Sequence, residues 1–321
     1  MFYYRCYGIN LASEHAITPL DSVQKETDAP GSLKILWSFP PFADGEWTIL
    51  SAGQSRDKKR IKIAKGQYNG NTVYRFHRDT VQLGNIYSYL DPLQHTLWYV
   101  ADDKLSDGDS HSVLVGAVLG SCISFSGALC LHASAVECNG SAILFLGPSG
   151  TGKSTTALHM SQHFGGKFIT DDIAVIRNDG GVLTVAPGYQ KLRVLPEDVA
   201  RIDAQISDIK GPVYTHMPKA YFEVEAAHNP VPVSMIVSLN RSLMHKGIVF
   251  HCKTGAEAFV DCIPHIFSRE AYVIPDAFSQ QNASLKALIV QSKYIIAEMP
   301  NGHEHIADIC TKLMAAQNDP K

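Results

Sequence analysis

The run Gly147-Pro148-Ser149-Gly150-Thr151-Gly152-Lys153-Ser154-Thr155 has the spacing G-x-x-x-x-G-K-[ST]. Each residue type has a physical reason to be there. Glycines let the backbone turn its N–H groups inward around phosphate oxygens. A helix starting at the end of the loop adds partial positive charge at the same place. Lys153 would reach the β- and γ-phosphates, and the Ser154 hydroxyl would help hold Mg²⁺. The apolar run Ile143-Leu144-Phe145-Leu146 leads in as a strand, and Thr155 to Phe164 reads as a helix closed by Gly165-Gly166. The pattern therefore predicts a nucleotide phosphate site, with ATP and Mg²⁺ as its occupants.

Two further features belong with it. Asp171-Asp172 follow Phe168-Ile169-Thr170, 18 and 19 residues beyond Lys153 (171 − 153 and 172 − 153). That distance holds one helix, a turn and an adjacent strand, so the pair should emerge beside the loop. Two adjacent carboxylates can divide the work, one toward Mg²⁺ and one toward an attacking hydroxyl. His132, in Cys130-Leu131-His132-Ala133-Ser134, lies on the strand before the loop. A histidine in an apolar strand is ordinarily a hydrogen-bonded core residue. Here the Asn139-Gly140 turn folds that strand back along the one feeding the loop, which could bring the imidazole near the phosphates.

The run from Leu131-His132-Ala133-Ser134-Ala135-Val136, through the loop, to Ile169-Thr170-Asp171-Asp172 resembles the catalytic domain of HPr kinase/phosphorylase. The resemblance implies a P-loop catalytic domain similar to phosphoenolpyruvate carboxykinase, an α/β (α+β) fold. It also implies that Asp171 is the base on a serine hydroxyl, that Asp172 supports it and the metal with Ser154, and that His132 lies near the transferred phosphate. The clear likeness is confined to about residues 129–180. Where the family carries a Gly-rich signature, this chain reads Pro187-Gly188-Tyr189-Gln190-Lys191-Leu192-Arg193-Val194-Leu195-Pro196. With Tyr4-Arg5-Cys6-Tyr7-Gly8-Ile9 at the start, the combination is more similar to stand-alone HPr-kinase-like proteins of lasso-peptide and other ribosomal-peptide systems. These phosphorylate a precursor peptide, typically on a C-terminal serine. The implied partner is a precursor peptide or small-protein acceptor. The related kinases form hexamers, which leaves a homo-oligomer open. The alternatives are HPr kinase/phosphorylase acting on HPr, and a nucleotide-binding switch without an acceptor.

Lys191 and Arg193 are candidates for an extra cation near the γ-phosphate or a peptide carboxylate, since Arg binds either group bidentately. Their alternation fits equally well a strand with an exposed polar face. Arg241, after Val237-Ser238-Leu239-Asn240, is a weaker candidate. His303-Glu304-His305 has no helical zinc spacing and reads as surface at the start of the last helix.

These residues need elements to hold them. The 321 residues, 45 % hydrophobic and 18 % charged, suit globular domains rather than disorder. Residues 1–108 read as a β-rich domain that could recognise the acceptor, and 109–321 as the catalytic domain. Thr72 to His77 alternates like a strand with one wet face, and Leu97 to Val100 is a second strand. Asn69-Gly70 and Asp91-Pro92 are turns, and Arg56-Asp57-Lys58-Lys59-Arg60 is a solvated hairpin tip. Asp102 to Asp109 is the expected linker. Beyond it, Ser112 to Ser126 is a buried helix, Leu129 to Glu137 and Ser141 to Leu146 are strands, and Lys167 to Arg177 is one strand. Further strands fall at Ala220 to Glu225, Ser234 to Leu239 and Tyr294 to Glu298, with helices at Ser284 to Gln291 and Glu304 to Ala316.

The net charge of −3 gives no basic footprint for nucleic acid. Ser112 to Leu131 is uncharged and about long enough to cross a bilayer, but its glycines and serines favour a buried helix and strand. Met1 to Leu20 lacks the basic and apolar regions of a signal peptide. Seven cysteines without C-x-x-C spacing read as small buried hydrophobes. The expectation is a soluble, cytoplasmic protein without membrane attachment.

Overall fold

A computed structural model describes residues 1–54, 60–80, 84–201, 209–215, 218–302 and 304–318. The architecture is mixed α/β with two large sheets, and the chain divides into two compact units. Among the described residues, no helix is long and apolar enough to cross a membrane.

The first unit comprises Met1–Ser126 and Ser268–Phe278. Its strands are β1 (Phe2–Cys6), β2 (Ile9–Ser13), β3 (Gln24–Lys25), β4 (Leu33–Leu36), β5 (Thr48–Gln54), β6 (Arg60–Tyr68), β7 (Asn71–Thr80), β8 (Gly84–Asp91) and β9 (Thr96–Ala101). They form one sheet in the order β3-β1-β2-β4-β9-β8-β7-β6-β5. Asn69 and Gly70 both take positive φ, 49° and 80°, the two-residue turn that matches strand twist. The expected wet face of β7 is corrected. Val73 packs with Phe42 and Tyr89 on one side, and Tyr74 and Phe76 meet Phe125 on the other, at ring separations of 5.3 and 4.9 Å. Of the basic run, Arg60 opens β6, and Arg56 to Lys59 lie outside the described residues.

Helix α1 (Asp107–Val113) runs through a π turn (Leu114–Val118) into α2 (Leu119–Phe125). The acidic stretch expected to be a linker therefore ends inside a helix. Ser106 caps it, accepting a hydrogen bond from Asp109 N at 3.1 Å. The units divide at Ser126/Gly127, not at 108/109, because Phe125 packs on β7 and the Tyr99 hydroxyl donates to Ser110 O at 2.8 Å.

The second unit comprises Gly127–Phe267 and Ser279–Lys321. Its main sheet contains β10 (Leu129–Leu131), β11 (Ser134–Cys138), β12 (Ser141–Leu146), β13 (Lys167–Thr170), β14 (Ala174–Asp179) and β15 (Val182–Ala186). A small sheet joins β16 (Lys191–Val194), β17 (Ile209–Pro212) and β18 (Ala220–Glu223). The main sheet continues with β19 (Val231–Arg241), β20 (Val249–Lys253) and β21 (Lys293–Met299). β12, β19 and β21 run parallel, while β11 pairs antiparallel with both β12 and β13. The helices are α3 (Lys153–His163), α4 (Pro196–Arg201), α5 (Gly255–Cys262), α6 (Pro275–Gln291), whose first residues through Phe278 belong to the first unit, and α7 (Ile306–Asn318). Phe145, Leu158, Met160, Val237, Ile295, Ile309 and Leu313 fill the core where α3 and α7 meet the sheet.

Two expected strands are each broken in two. The run from Leu129 breaks at His132-Ala133, because β10 pairs with β14 while β11 pairs with β12 and β13. The run from Lys167 breaks at residues 171–173, where Asp172 adopts a left-handed φ of 74°. Residues at these two changes of partner leave the ladder, which frees their side chains to turn toward the loop after β12.

Candidate active site

The loop between β12 and α3 is held open by its glycines. Gly147, Gly150 and Gly152 have φ of 144°, 86° and 90°, a region L side chains rarely adopt. A Cβ on Gly147 would lie 2.7 Å from Thr151 Oγ1 and 2.9 Å from Leu239 O. No side chain caps α3, so the amides of its first turn remain available to an anion. Lys153 is buried, and its Nζ donates to Gly147 O at 2.9 Å and Pro148 O at 3.2 Å. Burial lowers its pKa, and Asp171 and Asp172 oppose that shift.

Asp171 and Asp172 both reach this site, in different surroundings. Asp171 is 5 % exposed. Its Oδ1 accepts from Ser154 Oγ at 2.8 Å and Ser134 Oγ at 2.5 Å, and its Oδ2 from Arg193 N at 3.2 Å. Asp172, with its side chain 35 % exposed, has Oδ2 2.6 Å from Arg193 Nη2 and Oδ1 3.2 Å from His132 Nδ1. The same imidazole nitrogen lies 3.1 Å from Asp172 O. Burial pushes the Asp172 carboxyl upward, but Arg193 and His132 outweigh it and hold the group well below the usual carboxylate range. The Arg193 guanidinium is raised despite burial, by Asp172 first, and it sits over the Tyr189 ring at 5.9 Å.

Lys191 and Arg193 do not line an exposed face: they are 3 % and 6 % exposed. Leu192 and Val194 belong to the core, so the polar side of β16 turns the other way, and Arg193 reaches the acidic pair. Arg241 holds the glycine loop itself, with Nε donating to Thr151 O at 2.7 Å and Nη1 to Gly302 O. His303 lies outside the described residues. Glu304 and His305 precede α7 with their side chains 3.6 Å apart, and among the described residues no group of three His, Cys, Asp or Glu gathers as a metal site. Of the seven cysteines, Cys252 is exposed and the other six are buried; burial pushes Cys122 and Cys262 up to about 12.

Three neighbours of the site escaped the sequence reading. In the sequence Ser134 is only part of the run around His132. His265 accepts at its backbone O from His132 N at 2.7 Å, and its imidazole is lowered to about 4 by burial, then by Lys153 and His132. Lys219 acts electrostatically on both Asp172 and Lys153. His265 and Lys219 lie far along the chain from the phosphate loop, and no local pattern marks them.

The donor set suits the implied ligands. Ser154 and Asp171 are hard oxygen donors of the kind Mg²⁺ takes, alongside phosphate oxygens and water. The glycine loop, the uncapped helix start and Lys153 suit a triphosphate. No protein-family model matches the chain, and no curated protein matches it. Among solved structures it is similar to the Hpr(Ser) kinase/phosphatase from Coxiella burnetii, at 12 % identity and a TM-score of 0.32, covering 59 % of this chain and 95 % of that one. That likeness is slight, and the functional reading rests on the geometry of the site.

Proposed function

We propose that the chain is a Mg²⁺-ATP-dependent kinase that transfers the γ-phosphoryl group to a serine hydroxyl. The observation that carries this reading is the convergence of Lys153, Ser154 and Asp171 with the Asp172–Arg193–His132 cluster beside one phosphate loop. The motif resemblance supports a peptide or small-protein acceptor, such as a precursor peptide ending in serine, and a cytoplasmic setting.

The loop amides and Lys153 would fix the triphosphate and offset its charge. Bound Mg²⁺ supplies further charge stabilisation to the transferred group. The acceptor oxygen forms a bond to the γ-phosphorus as the β–γ bridging bond breaks, leaving ADP. The resemblance gives the proton to Asp171 and the ion to Asp172. The contacts favour the reverse. Asp171 is buried, joined to the Ser154 hydroxyl and filled by three donors. Asp172 is more open, and Arg193 keeps it ionised and able to accept a proton. A carboxylate so stabilised is a weak base, and phosphoryl transfer relies mainly on positioning and electrostatics. His132 is held at Nδ1 by Asp172.

Labelled ATP with a serine-ending peptide encoded beside the gene tests the reading. Label on serine that disappears in Lys153→Ala supports it. ATP binding with no serine label on any acceptor supports the switch instead. Asp171→Asn should weaken Mn²⁺ binding, and Asp172→Asn should slow transfer while Mn²⁺ still binds.

A further inference from the structure

We propose that Ser134 is a positioning residue for the ion side of the site, acting through Asp171; the proposal rests on the nucleotide-and-metal reading above. Ser134 starts β11 and is fully buried, with no route to a ligand. Its hydroxyl carries a single proton. That proton is directed to Asp171 Oδ1 at 2.5 Å, within the range of a charge-assisted bond, rather than to Ser154 Oγ at 3.5 Å. The same carboxylate oxygen receives the Ser154 hydroxyl proton at 2.8 Å.

The order of donors has a consequence. A serine hydroxyl that gives its proton to Asp171 turns its lone pairs away from the carboxylate, which is the orientation a cation needs. Ser154 holds that orientation only if Asp171 Oδ1 stays in place. Arg193 N fixes the other oxygen at 3.2 Å, and Ser134 fixes Oδ1. The carboxylate is thus gripped from β11, α3 and β16 before any ion arrives. Ser134 touches neither nucleotide nor acceptor, so its effect should appear in metal affinity rather than in nucleotide affinity.

The test titrates MnCl₂ into the full chain saturated with a non-hydrolysable ATP analogue, following free Mn²⁺ by electron paramagnetic resonance. Ser134→Ala should weaken Mn²⁺ binding about 10-fold, the scale of one hydrogen bond to a charged group. Affinity for the analogue without metal should be unchanged. Ser134→Cys, which keeps the core filled but donates weakly, should show the same loss, guarding against a folding defect in the alanine variant. In an Asp171→Asn background, Ser134→Ala should add nothing further. Wild-type Mn²⁺ affinity in Ser134→Ala and Ser134→Cys, or an equal loss with and without Asp171, overturns the proposal. A wild-type chain that binds the analogue but takes up no Mn²⁺ overturns it too, whereas one that binds no analogue removes the underlying reading as well.

Discussion

Two buried aspartates, one in each unit, show how differently the protein uses a carboxylate. Asp91 is 1 % exposed, and its Oδ1 accepts from Leu93 N and Gln94 N, both at 3.0 Å. Its partners are two and three residues away, so it ties the β8–β9 turn and nothing else. Asp171 is 5 % exposed, and its partners lie 37, 17 and 22 residues away in the chain. A locally satisfied aspartate builds a turn. One satisfied by three distant elements gathers them at a point, here beside the glycine loop that precedes α3. Burial alone does not distinguish these two carboxylates; the sequence distance of their partners does.

The largest effect should come from Lys153, which the proposed function sets against the phosphates. Lys153→Ala removes the cation aimed at the phosphates and should cost about 10³-fold or more in transfer, by analogy with the loss of a pre-organised donor. Isothermal titration with an ATP analogue would show whether binding falls too. Unchanged binding and transfer would end the comparison, since Asp171 would then be a structural carboxylate like Asp91.

Next in size is the pair of aspartates. Asp171→Asn should lower transfer about 10²-fold. Asp91→Ala should act on stability instead: about 1–2 kcal/mol of stability lost by denaturant titration, from two amides left without their acceptor, and nucleotide binding intact. Arg193→Met removes the buried partner of Asp172 and should destabilise by a few kcal/mol at most, since Asp172 is partly solvated. Should Asp91→Ala cut nucleotide affinity, partner distance would lose its value as a guide.

The same distinction explains what could be read from the sequence. The glycine loop and the two Asn-Gly turns are local patterns; the loop falls between β12 and α3, and both turns take positive φ. The breaks at His132-Ala133 and at residues 171–173 arise where a strand changes neighbours, and strand pairing is not written in periodicity. Lys191 and Arg193 alternate with apolar residues as on any half-wet strand; only the packing reveals that both are buried and that Arg193 meets a carboxylate. The helix after the acidic stretch was foreseen, but not its attachment to the first unit through Phe125. Ser134 and His265 carry no signal, because a buried serine and a histidine after a proline are ordinary until their partners are known.

The last predicted effect falls on stability and not on transfer, and concerns His265, whose partners are also distant. Its imidazole is lowered to about 4 in the folded chain, by burial first and then by Lys153 and His132, against about 6.5 when unfolded. Between those values the unfolded chain binds the extra proton, so stability rises with pH across that window. The contribution is complete above about pH 6.5 and is lost as pH falls toward about 4, amounting to at most about 3 kcal/mol. His265→Gln has no such proton to bind, and its backbone carbonyl still receives His132 N. Melting temperatures from pH 7.5 to 4.5 should therefore fall more steeply for the wild-type chain than for the variant. The carboxylates titrate alike in both, so the difference isolates the imidazole. Parallel curves would mean that His265 stays solvated enough to protonate in place, and that the cationic side of the site does not extend to it.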